Sequence, residues 1–261
     1  MAQQLLFTFV ILCEAAVLLV ASLRSSTCNN LSGGASMAFE QPLELVTIAD
    51  SKKPSSCARV LECSVFSAPP EGTIFWYKNN KVVHASVVRD ITLNSAAHVS
   101  SPLHGMTTLR HRLCVDSLVL TKSAEFKCRA QSPCNPLESI ESLPVEVKPV
   151  VGASLGYANR YYKAPLITLV SSTRIEAPGH FVQLFCSAEG MPKPELSWRI
   201  LDNKDETTSY PIEDARFIWP IGNGNLIIDT AKTDAATLSF QCIAENKFGR
   251  DVADSTLILM D

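Results

Sequence analysis

The sequence has no excess of positively charged residues. It contains 23 Lys and Arg against 26 Asp and Glu, which gives a formal net charge of −3. Proteins that bind DNA or RNA need a surplus of cations to displace counterions from the phosphate backbone. The charges are also mixed along the chain, without an acidic or basic tail. We therefore expect a globular protein that binds no nucleic acid.

Motifs that carry catalysis or cofactor chemistry are missing as well. No G-x-S-x-G turn, HExxH helix or phosphate-binding glycine loop occurs in the sequence. The segment Gly222-Asn223-Gly224 is typical of a hairpin turn. The histidines do not have the spacing of zinc ligands; they are His84, His98, His104, His111 and His180. The sequence predicts neither an enzyme nor a metal or cofactor site.

Only the N-terminus has a long apolar run. Leu5 to Cys13 forms an apolar core, and Val20 and Ser22 are small enough for signal-peptidase cleavage. A signal anchor is the alternative, but Glu14 at the middle of a bilayer would cost roughly 2.5 to 3.5 kcal/mol. No other segment approaches the ~20 apolar residues that a spanning helix needs. We predict a signal peptide over residues 1–22 and a secreted, extracellular chain without a membrane span after cleavage.

Cysteine, in contrast, is plentiful. Of the nine cysteines, Cys13 lies in the signal segment. The other eight form an even set, which favours disulfides over free thiols in a secreted chain. They are Cys28, Cys57, Cys63, Cys114, Cys128, Cys134, Cys186 and Cys242. The sequon Asn30-Leu31-Ser32 predicts a glycan on Asn30.

Helical periodicity is missing beyond the signal segment. Short stretches with alternating apolar residues, rich in Val, Ile, Leu, Phe and Thr, recur about every 8 to 12 residues between Pro, Gly, Asn and Asp. A parallel α/β sheet would need amphipathic helices between its strands. The pattern therefore predicts an all-β chain built of β-sandwiches.

The second half of the chain has a cysteine, tryptophan, cysteine frame. Val182, Leu184 and Cys186 alternate on one side of a strand, and Trp198 and Cys242 follow. In an immunoglobulin-like sandwich a cysteine on strand B and one on strand F join the two sheets, and a strand C tryptophan packs on the bond. We predict the disulfide Cys186–Cys242 and a core position for Trp198.

The first half repeats this frame in divergent form, with Cys63, Trp76 and Cys128. We predict the disulfide Cys63–Cys128 and a core position for Trp76. The two frames indicate two immunoglobulin-like β-sandwich domains in tandem. The expected divisions are domain 1 at 37–149, a linker at 150–165 and domain 2 at 166–261.

Three segments of domain 2 resemble an I-set immunoglobulin domain. They are Cys186-Ser-Ala-Glu-Gly-Met-Pro-Lys-Pro, Asn225-Leu-Ile-Ile and Cys242-Ile-Ala-Glu-Asn-Lys-Phe-Gly249. With the signal peptide and the two domains, the chain resembles the zwei-Ig family of small secreted nematode proteins, and it is similar to their insulin-binding insect relatives. It departs from the usual pattern at both strand F corners, where Phe126 and Phe240 replace the tyrosine.

This resemblance implies an extracellular, non-catalytic binding function. In the nematode family such a protein acts in the nervous system and maintains the position of axons and neurons through extracellular or cell-surface protein contacts. The alternative is a soluble carrier that sequesters insulin-like peptides. No ligand-contact residue of these relatives has a motif that can be matched in this sequence.

The alternation in domain 2 also suggests a binding patch. If the residues on either side of Phe185 and of Ile227 point into the core, these two side chains point outward. Trp219 or Phe217 on the adjacent strand could extend the same face. We expect an outer patch of Phe185, Ile227 and Trp219, with scattered surface residues of no function as the alternative.

Four cysteines lie outside the two frames and allow three pairings. Cys57 precedes the strand B cysteine and Cys134 follows the strand F cysteine, so the two lie at opposite ends of the sandwich. If Cys114 is near the end of strand E, it lies beside the start of strand B. We predict Cys57–Cys114 and Cys28–Cys134, with Cys28–Cys57 and Cys114–Cys134 as the second choice.

Overall fold

The computed structural model describes residues 36–47, 57, 59–92, 105–118, 120–132, 138–149, 163–202 and 208–260. These residues form strands and a few short 3₁₀ turns. The first nine strands are β1 Ser36–Phe39, β2 Glu44–Thr47, β3 Arg59–Ala68, β4 Gly72–Lys78, β5 Lys81–Val88, β6 Met106–Cys114, β7 Ala124–Gln131, β8 Ser139–Glu141 and β9 Val145–Val147. The remaining strands are β10 Lys163–Glu176, β11 Phe181–Leu184, β12 Cys186–Met191, β13 Glu195–Leu201, β14 Ser209–Pro211, β15 Ile218–Pro220, β16 Leu226–Asp229, β17 Thr237–Asn246 and β18 Gly249–Leu259. The 3₁₀ turns are Val115–Ser117, Ile212–Asp214, Gly222–Gly224 and Thr230–Lys232. The prediction of an all-β chain is confirmed.

The first sandwich packs two sheets around Trp76. One sheet contains β1, β2, β3 and β6, and the other has the order β5-β4-β7, with β8 and β9 both paired to β7. Cys63 on β3 and Cys128 on β7 join the sheets, with 6.5 Å between their Cα atoms. Both cysteines, Trp76 and Phe126 are buried in one apolar cluster. The sequence frame of this half therefore forms its core.

The second sandwich repeats the plan. Its larger sheet runs β10-β18-β17-β13-β14, with β12 on β10, and its smaller sheet runs β11-β16-β15. The Cys186–Cys242 disulfide spans the core with a Cα separation of 6.5 Å. Trp198 meets Phe240 edge to face, with ring centroids 6.5 Å apart. Phe240 thus fills the tyrosine position of strand F with an apolar ring.

Strand β10 joins the two sandwiches into one sheet. Its residues Leu169 to Ile175 pair antiparallel with β6, with Leu169 opposite His111 and Ile175 opposite Met106. The same strand pairs with β12 and β18 of its own domain. In an immunoglobulin sandwich strand D pairs with the outer edge of strand E. In domain 1 the strand at that position is β6, and β10 of the second domain pairs with its edge instead. The strand begins at Lys163, inside the predicted linker, and residues 150–162 lie outside the described part of the chain.

Candidate binding surface at the domain junction

An apolar cluster seals the junction beside the shared ladder. Val88 and Leu109 of domain 1 pack with Leu169 and Phe185 of domain 2, and all four are buried. Phe185 lies between β11 and β12, and its N–H donates to the Oγ of Ser171 at 2.9 Å. This position aims the ring away from the core of its own domain and toward the first domain.

The prediction that Phe185 belongs to an exposed patch is therefore wrong. The ring does point outward from domain 2, as the alternation indicates, but its exposed fraction is only 2%. Domain 1 covers it. The alternation of a strand shows which face a side chain lies on, and it does not show what packs against that face.

A buried ion cluster crosses the same junction. The Arg174 side chain is 0% exposed, and its Nη1 donates to Oδ2 of Asp90 in domain 1 at 2.7 Å. Its Nε donates to Oε1 of Glu176 at 3.1 Å, and its Nη2 donates to the same oxygen. Burial alone would lower the pKa of Arg174, but the charges of Asp90 and Glu176 and their hydrogen bonds outweigh it and raise that pKa. The guanidinium is thus held ionised between carboxylates from both domains.

Glu71 extends this cluster on the side of domain 1. The N–H of Asp90 donates to Glu71 Oε1 at 3.1 Å. Burial raises the pKa of the Glu71 carboxyl, the hydrogen bond from Asp90 acts against this rise, and the negative charge of Asp90 adds to it. The segment that leaves β5 is therefore fixed against domain 2 by polar contacts.

A second ion pair links the domains at the other end of the ladder. Arg112 on β6 donates from Nη1 to Asp251 Oδ2 at 3.0 Å. The same carboxylate oxygen accepts the N–H of Ile167 on β10 at 2.7 Å. Backbone pairing, apolar packing and two sets of charges thus hold the domains in one arrangement.

An exposed aromatic pair lies on the outer face of β11, β16 and β15. Phe181 and Trp219 are 47% and 40% exposed, and their ring centroids are 6.4 Å apart. Lys232 Nζ lies 5.3 Å from the centroid of Trp219, within the range of a cation–π contact. Ile227 on β16 pairs directly with Trp219 and is half-buried. Two of the three predicted patch residues, Ile227 and Trp219, thus lie side by side on this face. The exposed aromatic side chain next to them is Phe181, not Phe185.

Domain 1 extends this face across the junction. The N–H of Ile91 donates to the Oε1 of Gln183 at 2.9 Å, and Gln183 lies opposite Ile227 in the ladder of β11 and β16. Ile91 itself is exposed. We use the name junction patch for Ile91, Phe181, Trp219 and Ile227.

A groove runs along the junction next to Phe185. Its volume is about 820 Å³, and Val87 and Arg89 of domain 1 line it together with Lys193, Leu196 and Gly224 of domain 2. Gly224 is required in its wall, because its φ is +85° and a Cβ there would lie 2.8 Å from the Cys186 carbonyl oxygen and would also collide with the Leu196 side chain. β15 and β16 pair antiparallel on either side of this turn, so the predicted hairpin turn is present.

Known proteins share this architecture at low sequence identity. No protein-family profile matches the chain. A human protein, immunoglobulin superfamily member 10, is 29% identical over 196 residues, which cover 74% of this chain but 6% of that relative. The neural/ectodermal development factor IMP-L2 of Drosophila melanogaster is 28% identical over 91 residues, or 35% of this chain and 32% of that protein. The chain therefore spans a small part of the human relative's length.

A crystal structure of IMP-L2 matches both domains. The superposition covers 87% of this chain and 95% of that one, with a TM-score of 0.55 and 20% identity. The chain is a tandem immunoglobulin-fold protein. Within the described part of this tandem immunoglobulin-fold protein, no helix has the length and apolarity to cross a membrane.

Three disulfides are present in the described residues of this tandem immunoglobulin-fold protein. Besides the two core bonds, Cys57 pairs with Cys114 at a Cα separation of 5.8 Å, next to the end of the ladder in which Val60 faces Cys114. The register argument for this pair is confirmed. Cys28, Cys134 and the Asn30 sequon lie outside the described residues, so the predicted Cys28–Cys134 bond and the glycan stay predictions.

The histidines that the structure describes have no ligand arrangement. No group of three or more His, Cys, Asp or Glu side chains in the described ranges could hold a metal ion. His111 on β6 is fully buried, and burial, with a smaller contribution from His84, lowers its pKa to about 3. It is therefore neutral in the fold. His98 and His104 lie outside the described residues.

The junction itself is the feature that sequence patterns did not predict. Arg174 has no sequence neighbour that distinguishes it from a surface arginine, and Asp90 is far from it along the chain. Ile167 and Val170 of β10 lie in the core of domain 2, whereas Leu169 joins the junction cluster. A register shift between Ile167 and Leu169 separates the two, and strict alternation along the sequence does not predict it.

Proposed function

We propose that this chain is a secreted, non-catalytic protein that binds another protein outside the cell through the junction patch. The observation that supports this proposal is the exposed pair of Phe181 and Trp219. It lies on the strands next to Gln183, which accepts the hydrogen bond from Ile91 of the other domain. Exposed aromatic side chains on a fixed scaffold are typical anchors of protein interfaces, since they bury a large area at a low cost in side-chain entropy. The relatives named above, which share immunoglobulin domains, support an extracellular binding role.

The proposed setting is the nervous system. The sequence resembles the zwei-Ig family, and on this proposal the protein belongs to that group and maintains the position of axons or neurons. Residues 1–22 would be removed as a signal peptide, and the protein would act on a cell-surface or matrix partner.

A binding assay on cells tests the junction patch. Labelled protein is applied to neurons of the source organism, and bound label is measured against concentration. Replacing Phe181 and Trp219 together by glutamate should weaken binding more than about ten-fold, which corresponds to about 1.4 kcal/mol. The matched control is Val252→Glu, because Val252 is 44% exposed on β18 and outside the patch.

Equal loss of binding in the control would show that added charge alone is responsible. Unchanged binding of the F181E/W219E protein would show that both aromatic side chains are ordinary surface residues without a role in binding. Circular dichroism of each variant confirms that the fold is intact before binding is compared.

A soluble carrier of insulin-like peptides is the second candidate. The match of both domains to the IMP-L2 structure favours it, together with the resemblance to insulin-binding insect proteins. Isothermal titration calorimetry of the purified protein with insulin-like peptides separates the two candidates. Micromolar or tighter affinity supports the carrier, whereas absence of heat supports a cell-surface or matrix partner.

A further inference from the structure

The groove beside Phe185 continues the face on which the junction patch lies. We use the name junction groove for it. Gln183 and Ile227 are opposite each other in the ladder of β11 and β16. Two residues along these segments, on the same face of each, come Phe185 and Asn225, and both line the junction groove. A partner that covers the junction patch therefore reaches the junction groove as well.

The junction groove carries positive charge from both domains. Arg89, two residues before Ile91 of the patch, lines it from domain 1, and Lys193 lines it from domain 2. Both cationic residues are exposed, and none of the described lining residues is acidic. The chain as a whole has a formal net charge of −3, so the groove has the opposite sign to the molecule.

The charges of these two residues are not neutralised within the described part of the chain. There, no carboxylate forms an ion pair with Arg89 or Lys193. Burial raises the pKa of the Glu71 carboxyl, and the positive charge of Arg89 opposes this rise. Glu71 is itself buried, accepts the N–H of Asp90 and does not line the groove. Both cations can therefore bind an anion that enters from outside.

The floor of the junction groove is apolar and preformed. Leu169 and Phe185 line it and belong to the buried cluster that seals the junction. Pro194 and Leu196 add apolar surface from domain 2. The volume of about 820 Å³ lies within the range of ~300 to 1,000 Å³ that is typical of ligand sites, which often lie between domains. A matching ligand has apolar groups for the floor and carboxylates for the two cations.

We propose that the partner of the junction patch inserts an acidic segment into the junction groove, with carboxylates on Arg89 and Lys193 and an apolar side chain on Phe185. This proposal rests on the proposed function, because it names the chemistry of the same partner protein. Arginine binds a carboxylate through two parallel hydrogen bonds, and lysine binds it as a point charge. Since the two cations come from different domains, they select such a segment only while the junction holds them together.

A synthetic peptide tests the groove without the partner. The probe is a hexapeptide of alternating valine and glutamate with an uncharged label, and its fluorescence anisotropy is followed as protein is added. We expect a dissociation constant below about 1 mM at low salt. Binding should weaken at about 0.5 M salt, where exposed charges are screened. The same peptide with lysine in place of glutamate should not bind.

Reversal of the two charges locates the peptide on the protein. R89E/K193E should raise the dissociation constant of the glutamate peptide at least about ten-fold, and it should gain binding of the lysine peptide. The matched control R216E/R250E changes the net charge by the same amount at two exposed arginines that do not line the groove. It should keep the affinity for the glutamate peptide within about three-fold. Circular dichroism verifies the fold of both variants.

The outcomes separate this proposal from the proposed function. A glutamate peptide that the wild-type protein does not bind, or binds no better than the lysine peptide, overturns the proposal, and so does an equal loss in the variant and its control. On neurons, R89E/K193E should weaken binding as F181E/W219E does, and unchanged cell binding of R89E/K193E would also overturn it. Absence of cell binding by the wild-type protein would instead refute the proposed function, and the peptide titration would still decide whether the groove binds acidic segments.

Discussion

Replacing Arg174 by methionine should destabilise the protein strongly. Methionine is apolar and keeps much of the volume of the side chain, but it leaves Asp90 and Glu176 buried without their cation. Breaking a buried pair by removing one partner costs about 3 to 5 kcal/mol, mostly because the remaining charge is uncompensated. For a chain of this size about 2 to 4 °C of melting temperature corresponds to 1 kcal/mol. We expect a fall of roughly 6 to 20 °C.

Urea denaturation followed by tryptophan fluorescence measures this loss, because Trp76 and Trp198 report on one domain each. The control R250M changes an exposed arginine and should alter the free energy of unfolding by no more than about 0.5 kcal/mol. The triple variant R174M/D90N/E176Q removes the uncompensated charge and should recover about half of the loss. An R174M protein as stable as R250M would refute the conclusion that this ion cluster holds the junction.

Two further changes test the packing and the electrostatics of the junction. Phe185→Ala should lower the free energy of unfolding by about 3 to 5 kcal/mol, because it leaves a cavity among Val88, Leu109 and Leu169. The control Phe181→Ala, at an exposed position, should lower it by no more than about 0.5 kcal/mol. Equal losses in urea denaturation would contradict the buried position of Phe185. The neutral, buried His111, with its pKa lowered to about 3, takes up a proton near pH 6.5 only when the chain unfolds, so stability should fall by about 2 kcal/mol between pH 7 and pH 5 through this group alone. His111→Leu should remove that part of the pH dependence in denaturation curves, and an unchanged pH dependence would count against it.

The sequence alone was sufficient to predict which residues form the core of each domain. The cysteines and tryptophans of the two frames lie where a strand B, C and F assignment places them, since alternation and spacing are local properties of the chain. The same reasoning extended to Cys57 and Cys114, because antiparallel strands B and E fix which of their ends meet.

The sequence was not sufficient for the junction. Pairing of β10 with β6 joins backbone groups that carry no side-chain signature. The sequence therefore predicted the correct face for Phe185 and the wrong environment, and it did not single out Phe181, four residues earlier on the same face. Patterns of one strand do not report on the neighbour that a different domain supplies.

Residue-resolved hydrogen exchange tests most directly whether the two domains share one sheet. If β6 lies between β3 and β10, the N–H groups along it bond alternately to one neighbour and to the other. The amides of residues 107–111 should then all exchange slowly. If β6 were instead the edge of domain 1, every second amide in this stretch would face solvent. Uniform protection of residues 107–111 is the result that we predict, and fast exchange at alternate residues would contradict the shared sheet and the junction patch built on it.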